Sequence, residues 1–137
     1  MIAEVLLLAE LDAELAYYCA TNLCRPGSEM ADEFRRHRTF TPVSIAYDGD
    51  NAQPIAWVAT HVWRGQQTIE GYTHQDYRRR GIARIGVQML LACHHLDKRE
   101  PVAVFAPECV ELAYSVGWTD VRFWERHGVF DWREVRA

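Results

Sequence analysis

The sequence carries no surplus of positive charge, no long apolar run and no close-set pairs of cysteine or histidine with ligand spacing, and each absence removes a class of protein. A formal net charge of -4 argues against a grip on nucleic acid through bulk cationic surface, which needs many lysines and arginines facing phosphate. The first apolar run, Val5 to Leu8, follows Glu4 and precedes Glu10 and Asp12, so neither a signal peptide nor a membrane span is expected. The four cysteines, Cys19, Cys24, Cys93 and Cys109, lack the paired spacing of a zinc module. They read as reduced thiols of a cytoplasmic protein, each packed as a small apolar residue. His94 and His95 are adjacent while His37, His61 and His127 stand alone, so no metal is expected. Serine and cysteine nucleophile signatures are missing, as are repeats, linkers and low-complexity segments.

What is present is enough for one core. With 137 residues, 49% of them hydrophobic, the chain is too short for two, and residues 1–137 are expected to form a single domain. Leu11, Leu15, Ala16 and Tyr18 fall at helical spacing within residues 10–23, and Arg25-Pro26-Gly27 then breaks the chain. Ser28 is suited to cap a second helix, with Glu29 and Asp32 in its first turn and Arg35, Arg36 and Arg38 near its end. Pro42 excludes its continuation. Residues 42–47 and 54–63 are rich in β-branched and aromatic side chains, and Asp48-Gly49-Asp50-Asn51 between them is turn chemistry. Arg64-Gly65-Gln66 turns the chain again into a third antiparallel strand, residues 67–74. A further strand over residues 2–8 fits ahead of the first helix.

At Gly81 the period changes. Ile82, Ile85, Met89, Ala92, Cys93 and Leu96 recur as one stripe of a helix predicted to end near Lys98. A short buried strand over residues 102–106 follows. Cys109, Leu112, Ala113 and Val116 then mark a helix ended by Gly117, and residues 121–126 and 129–135 read as a closing hairpin. The order predicts an α/β fold, a mixed three-layer domain.

The chemistry concentrates where the third strand gives way to the helix, at Thr73-His74-Gln75-Asp76-Tyr77-Arg78-Arg79-Arg80-Gly81-Ile82-Ala83. A helix start leaves amide N–H groups without partners and is electropositive. Three arginines crowd that positive end, which is unfavourable unless an anion is bound there. Gly81 admits a close backbone approach to phosphate, Ala83 keeps the next turn uncluttered, and the guanidiniums add charge-assisted hydrogen bonds.

This segment resembles the acetyl-CoA pyrophosphate loop of the GNAT superfamily of acetyltransferases, whose core pattern is Arg or Gln, two residues, Gly, one residue, then Gly or Ala. Arg78, Gly81 and Ala83 satisfy it, and Asp76 and Tyr77 match the acidic and aromatic positions before it. Thr73 and Gln75 depart from the family's Val and Pro. The resemblance covers most of the chain and implies a central, mostly antiparallel mixed sheet flanked by helices, with acetyl-CoA as acetyl donor. It implies that Arg78, Arg79, Arg80, Gly81, Ile82 and Ala83 hold the phosphates, and that a backbone N–H of Tyr72 or Thr73 meets the thioester carbonyl.

Direct attack by an amine requires a route for its proton, because an alkylammonium has a pKa near ~10. Thr68, Glu70, Tyr72 and His74 share one face of the third strand. A carboxylate on a central strand is costly to bury unless paired or used, so Glu70 is the candidate general base. The competing reading pairs Glu70 with an arginine of the second helix, and His74 ranks behind it as a base. The resemblance implies a tyrosine that protonates the leaving thiolate, and Tyr114 ahead of Gly117-Trp118 is that candidate, one residue short of the family's spacing. A second alignment puts Trp124 there, whose indole is a poor proton donor.

The same resemblance places an amine-bearing acceptor against the first helices and the closing hairpin, near Tyr17, Tyr18, Arg35, Arg36, Trp124 and Trp132. The run Arg35-Arg36-His37-Arg38 would suit an anionic acceptor, or a solvated helix end. Two rival readings keep the fold: a catalytically silent module that binds CoA or a partner, and an enzyme acting on nucleic acid or a modified base, against which the acidic charge counts. No membrane partner is expected. A homodimer through a hairpin carrying Phe123, Trp124, Phe130 and Trp132 is a further expectation.

Overall fold

The computed structural model describes residues 2–36, 40–49, 53–63 and 65–123. Six strands form one sheet in the order of the chain: β1 (Ile2–Leu7), β2 (Pro42–Tyr47), β3 (Pro54–Trp63), β4 (Gln66–Thr73), β5 (Val102–Val104) and β6 (Val121–Phe123). The pairs β1·β2, β2·β3 and β3·β4 are antiparallel, and β4·β5 and β5·β6 are parallel. Parallel neighbours need a crossover, and these are α3 (Ile82–Ala92) and α4 (Pro107–Val116). The other helices, α1 (Ala13–Asn22) and α2 (Glu29–Arg36), connect β1 to β2.

Strand alternation divides the core between the two faces. Val43, Ile45, Trp57 and Ala59 pack with Cys19, Leu23, Met30 and Phe34 of the α1–α2 layer. Val58, Ile69, Val102 and Val104 pack with Val87 and Leu90 of α3 and with Cys109 and Ala113 of α4. The expected three layers are therefore helices, sheet, helices. On the first face the Phe34 ring stands edge-on to Trp57 at 5.3 Å between centroids, and the Trp57 indole N–H donates to the Leu23 carbonyl. That bond fixes the chain where it leaves α1 for α2. Ser28 caps α2 as its sequence predicts, its Oγ accepting from the Ala31 amide at 3.2 Å.

Two sequence expectations, both for the third helix, need correction. The third helix stops at Ala92, well short of Lys98, because His94 takes a left-handed φ of 61° and the His95 amide closes back on the Leu90 carbonyl at 3.1 Å. Leu96 is still buried, but from a loop. The buried stripe of α3 is Ile82, Gly86, Val87 and Leu90, whereas Ile85 is exposed. Gly86 causes this rotation: a Cβ there would lie 3.0 Å from Val58 Cγ2 and 3.1 Å from Ser44 Oγ, so the helix backbone rests directly on the sheet. Residues 121–123 of the expected hairpin form β6 alongside β5; residues 124–137 lie outside the described residues.

One buried side chain ties the bottom of β4 to the loop before β5. The Gln67 amide donates to the carbonyls of Asp97 and of Glu100, the latter at 3.1 Å, and its Oε1 accepts from the Asp97 amide at 2.9 Å. The Trp118 indole also donates to Glu100 O at 3.0 Å. Each such buried bond contributes roughly 1 kcal/mol, and together they hold β4 and β5 at one end only.

Candidate active site

The register between β4 and β5 ends at Ile69 opposite Val104. Beyond it the strands part, and a cleft opens between Glu70, Gly71 and Tyr72 on one wall and Phe105, Ala106 and Cys109 on the other. Pro107 begins α4 directly after Ala106, which is extended at φ -135° and ψ 143°, and Pro suits this first helical position. It carries the chain away from the sheet there. The cleft is thus fixed by where β5 is stopped.

Backbone groups on β4 alternate in direction. The His74 amide donates to Ile55 O on β3 at 2.8 Å, so Tyr72, two residues earlier, also directs its amide to β3. Thr73 and Gly71 direct theirs to the cleft, and the Gly71 N–H faces the Cys109 thiol. Of the two expected carbonyl donors, the geometry therefore favours Thr73. Tyr72 contributes its side chain, which lines the cleft.

The arginine-rich loop lies at the end of β4. His74 Nδ1 accepts from the Asp76 amide at 3.2 Å and so caps the single turn Gln75–Tyr77, a structural use of the imidazole. Arg79 and Gly81 both have positive φ, 64° and 76°. Gly81 is the N-cap of α3 in a left-handed conformation, where glycine carries little steric cost, and a Cβ there would meet nothing within 4 Å. The Ile85 amide already bonds Gly81 O at 3.1 Å. The amides of Ile82, Ala83 and Arg84 have no protein acceptor among the described residues, the usual state of a first helical turn.

The three arginines are not equivalent. Arg78 Nε donates to Thr73 O at 2.9 Å and its guanidinium lies 5.4 Å from the centre of the Tyr72 ring, which splints the loop to the cleft wall. Arg80 lies 5.3 Å from the Tyr77 ring centre, and Tyr77 Oη donates to Asp48 at 2.6 Å. Arg79 is exposed. This cradle of open amides, an open glycine and oriented guanidiniums fits a pyrophosphate.

Glu70 sits at the opposite end of the cleft's inner wall. Its Oε2 is buried and has no hydrogen-bond partner among the described residues. Burial, then the neighbouring Glu33, pushes its pKa up to about 7 against an opposing pull from Arg25. Glu33 is likewise raised to about 7, by burial and then by Glu29. His61, opposite Thr68 in the β3·β4 register, places Nε2 3.4 Å from Glu33 Oε2, and burial depresses its pKa. The arginine partner from α2 that the competing reading required is not seen among the described residues; the α2 charge acting most on Glu70 is Glu33. Arg35 is instead turned to solvent and paired with Asp32 at 3.2 Å, and Arg36 is exposed.

Tyr114 stands 51% exposed on α4, off the buried stripe as expected and outside the group lining the cleft. Tyr17 is exposed on α1, and Tyr18 packs against the first core. Trp124, Phe130, Trp132, His37 and Arg38 lie outside the described residues. Glu33, His61, Arg25 and Cys109 were not singled out for this site from sequence. For Glu33 there was a signal: it falls four residues after Glu29 on the helix and beside the buried Phe34. The described helices include none long and apolar enough to cross a membrane, and all four cysteines are free.

No protein-family model matches the chain, and no match was found among curated proteins. Solved structures do match. The ribosomal-protein-S18-alanine N-acetyltransferase of Escherichia coli superimposes with a TM-score of 0.56 at 18% identity, covering 85% of this chain and 77% of that one. A ribosomal-protein-alanine N-acetyltransferase of Brucella melitensis biovar Abortus 2308 gives 0.48 at 13% identity, covering 90% and 79%. Glucosamine-6-phosphate N-acetyltransferase of Arabidopsis thaliana gives 0.47 at 12% identity, covering 90% and 82%. The strand order, the parting of β4 from β5, the loop geometry and the first of these superpositions agree: the chain has the fold of the GNAT superfamily.

Proposed function

We propose that the protein is an N-acetyltransferase that moves an acetyl group from acetyl-CoA to an amine by direct attack in a ternary complex. The observation that carries this reading is the left-handed Gly81 opening α3, with the free amides of Ile82, Ala83 and Arg84 beside the cleft that parts β4 from β5. Those amides, with Arg78, Arg79 and Arg80, receive the pyrophosphate. The pantetheine arm then runs into the cleft, where the Thr73 amide polarises the thioester carbonyl.

Glu70 takes a proton from the acceptor ammonium. Its pKa of about 7 lies near the operating pH, where a general base works best. The amine nitrogen forms the new N–C bond as the C–S bond breaks, the nitrogen's second proton leaves to water, and Tyr114 supplies the proton taken up by the CoA thiolate. Tyr114→Phe is expected to slow transfer by about tenfold or more while leaving CoA affinity unchanged, measured by thiol release and by titration with CoA. An unchanged rate would remove Tyr114 from the mechanism.

The cofactor site is tested by melting the protein with CoA and acetyl-CoA. A ligand that binds only the folded state adds about 2.7 kcal/mol of stability at roughly 100 times its Kd. The wild type is expected to show the shift and Gly81→Glu to lose it, since a carboxylate would then occupy the phosphate position. Gly81→Asn, which tolerates a left-handed φ, controls for backbone strain and should retain the shift. No shift in folded wild-type protein would leave a GNAT fold put to another use.

A further inference from the structure

Resting on the acetyltransferase reading, we infer that the acceptor is a small amino acid, whose ammonium is received by Glu70 inside the cleft and whose carboxylate is received by Arg25 at its mouth. Both side chains line the cleft. They carry opposite charge, yet no hydrogen bond joins them among the described residues. A ligand that carries both signs in the reverse order complements the pair.

The chain fixes the backbone of Arg25 and leaves its head loosely engaged. Ahead of it, the Leu23 carbonyl accepts from the Trp57 indole. Behind it, the Ser28 amide closes a turn on Arg25 O at 3.1 Å. Pro26 and the left-handed Gly27, at φ 73°, occupy the two central positions, where they suit such a turn. The guanidinium itself reaches Glu108 at 3.4 Å, and the two side chains are 55% and 76% exposed. An exposed pair of this kind contributes little, so Arg25 can exchange Glu108 for an incoming carboxylate. Its planar fork offers that carboxylate two parallel N–H donors.

The two walls of the cleft differ in polarity. The β4 wall carries Glu70, whose buried Oε2 has no hydrogen-bond partner among the described residues. Such an oxygen is costly, and an ammonium supplies both donor and countercharge. The other wall is the start of α4, at Ala106 and Cys109, the positive end of that helix. The contact of Arg25 with Glu108 lies on the same turn. The neighbouring thiols add no negative charge, since burial pushes Cys24 up to about 12 and Cys109 up to about 11. Glu33 meets His61 of β3 at 3.4 Å and is not among the residues lining the cleft. A monoamine therefore satisfies one wall, and an amino acid satisfies both.

Probes that differ in charge but hardly in size test this: glycine, β-alanine and 4-aminobutyrate, each beside its primary amide, titrated calorimetrically into the full chain with CoA present. At least one acid is expected to bind about tenfold or more tighter than its amide. Arg25→Gln should bring that ratio to about one, and Arg25→Lys should restore part of it, because an ammonium keeps the charge and loses the fork. Glu108→Gln should tighten the same acid by about twofold or more by removing its competitor, which a merely structural salt bridge would not do. Both residues are exposed, so these variants are expected to keep the fold, as their melting curves will show. Amides bound as tightly as the acids at every chain length, a ratio that survives Arg25→Gln, or no binding of any acid would overturn the inference. The CoA melting shift reads the other claim separately: a shift without preference for the acid sinks only the carboxylate site, and a preference without a shift sinks the acetyltransferase reading.

Discussion

Glu70 is held in the folded protein against both burial and a like charge, and that tension has a pH signature. Its folded pKa of about 7 lies above an unfolded value near ~4.3. Between those two values the folded state binds more protons than the unfolded one, so stability falls as pH rises through the window and is flat above it. Replacing Glu70 with Gln should therefore leave stability almost unchanged at pH 4 and raise it by up to about 3 kcal/mol at pH 8, measured by urea unfolding. Equal stability of the two proteins at pH 8 would mean that Glu70 ionises freely. The sequence exposed Glu70 as unusual, since a carboxylate on a central strand calls for an explanation. It left the neighbour of Glu70 open because alternation assigns a strand residue to a face, while the residue met across the layer depends on how α2 is rotated. Burial of Met30 and Phe34 sets that rotation and brings Glu33 inward.

At the scale of elements, strand and helix positions followed local chemistry closely, as the Ser28 cap, the stripe of α4 and the three-strand meander show. The third helix departed from its pattern in both phase and length. Its apolar residues outnumber what one face can bury, and Gly86 decides between the alternatives by letting the backbone approach Val58 and Ser44. A periodicity count weights glycine as nothing and so picks the wrong stripe. Gly86→Leu should force α3 away from the sheet, lower stability by about 2 kcal/mol and weaken CoA binding, because the same helix carries the proposed phosphate site at its first turn. Denaturant unfolding and CoA titration read both effects. Normal stability with normal affinity would show that the close approach is not needed.

Across the whole molecule, the functional geometry comes from a sheet joined at one end and parted at the other. Gln67 and the three paired positions from Gln67 to Ile69 hold β4 to β5, while Pro107 starts α4 and ends the pairing. None of this long-range arrangement is encoded in a local motif, though the order of elements and the loop at residues 78–83 together pointed to it. The measurement that bears most directly on the central claim is a titration of isotope-labelled protein with CoA, followed by backbone amide chemical shifts. The account predicts that the largest changes fall on Arg79 to Arg84 and on Gly71 to Thr73, the two sides of one bound ligand. Changes confined to other surfaces, or none at saturating CoA, would contradict it.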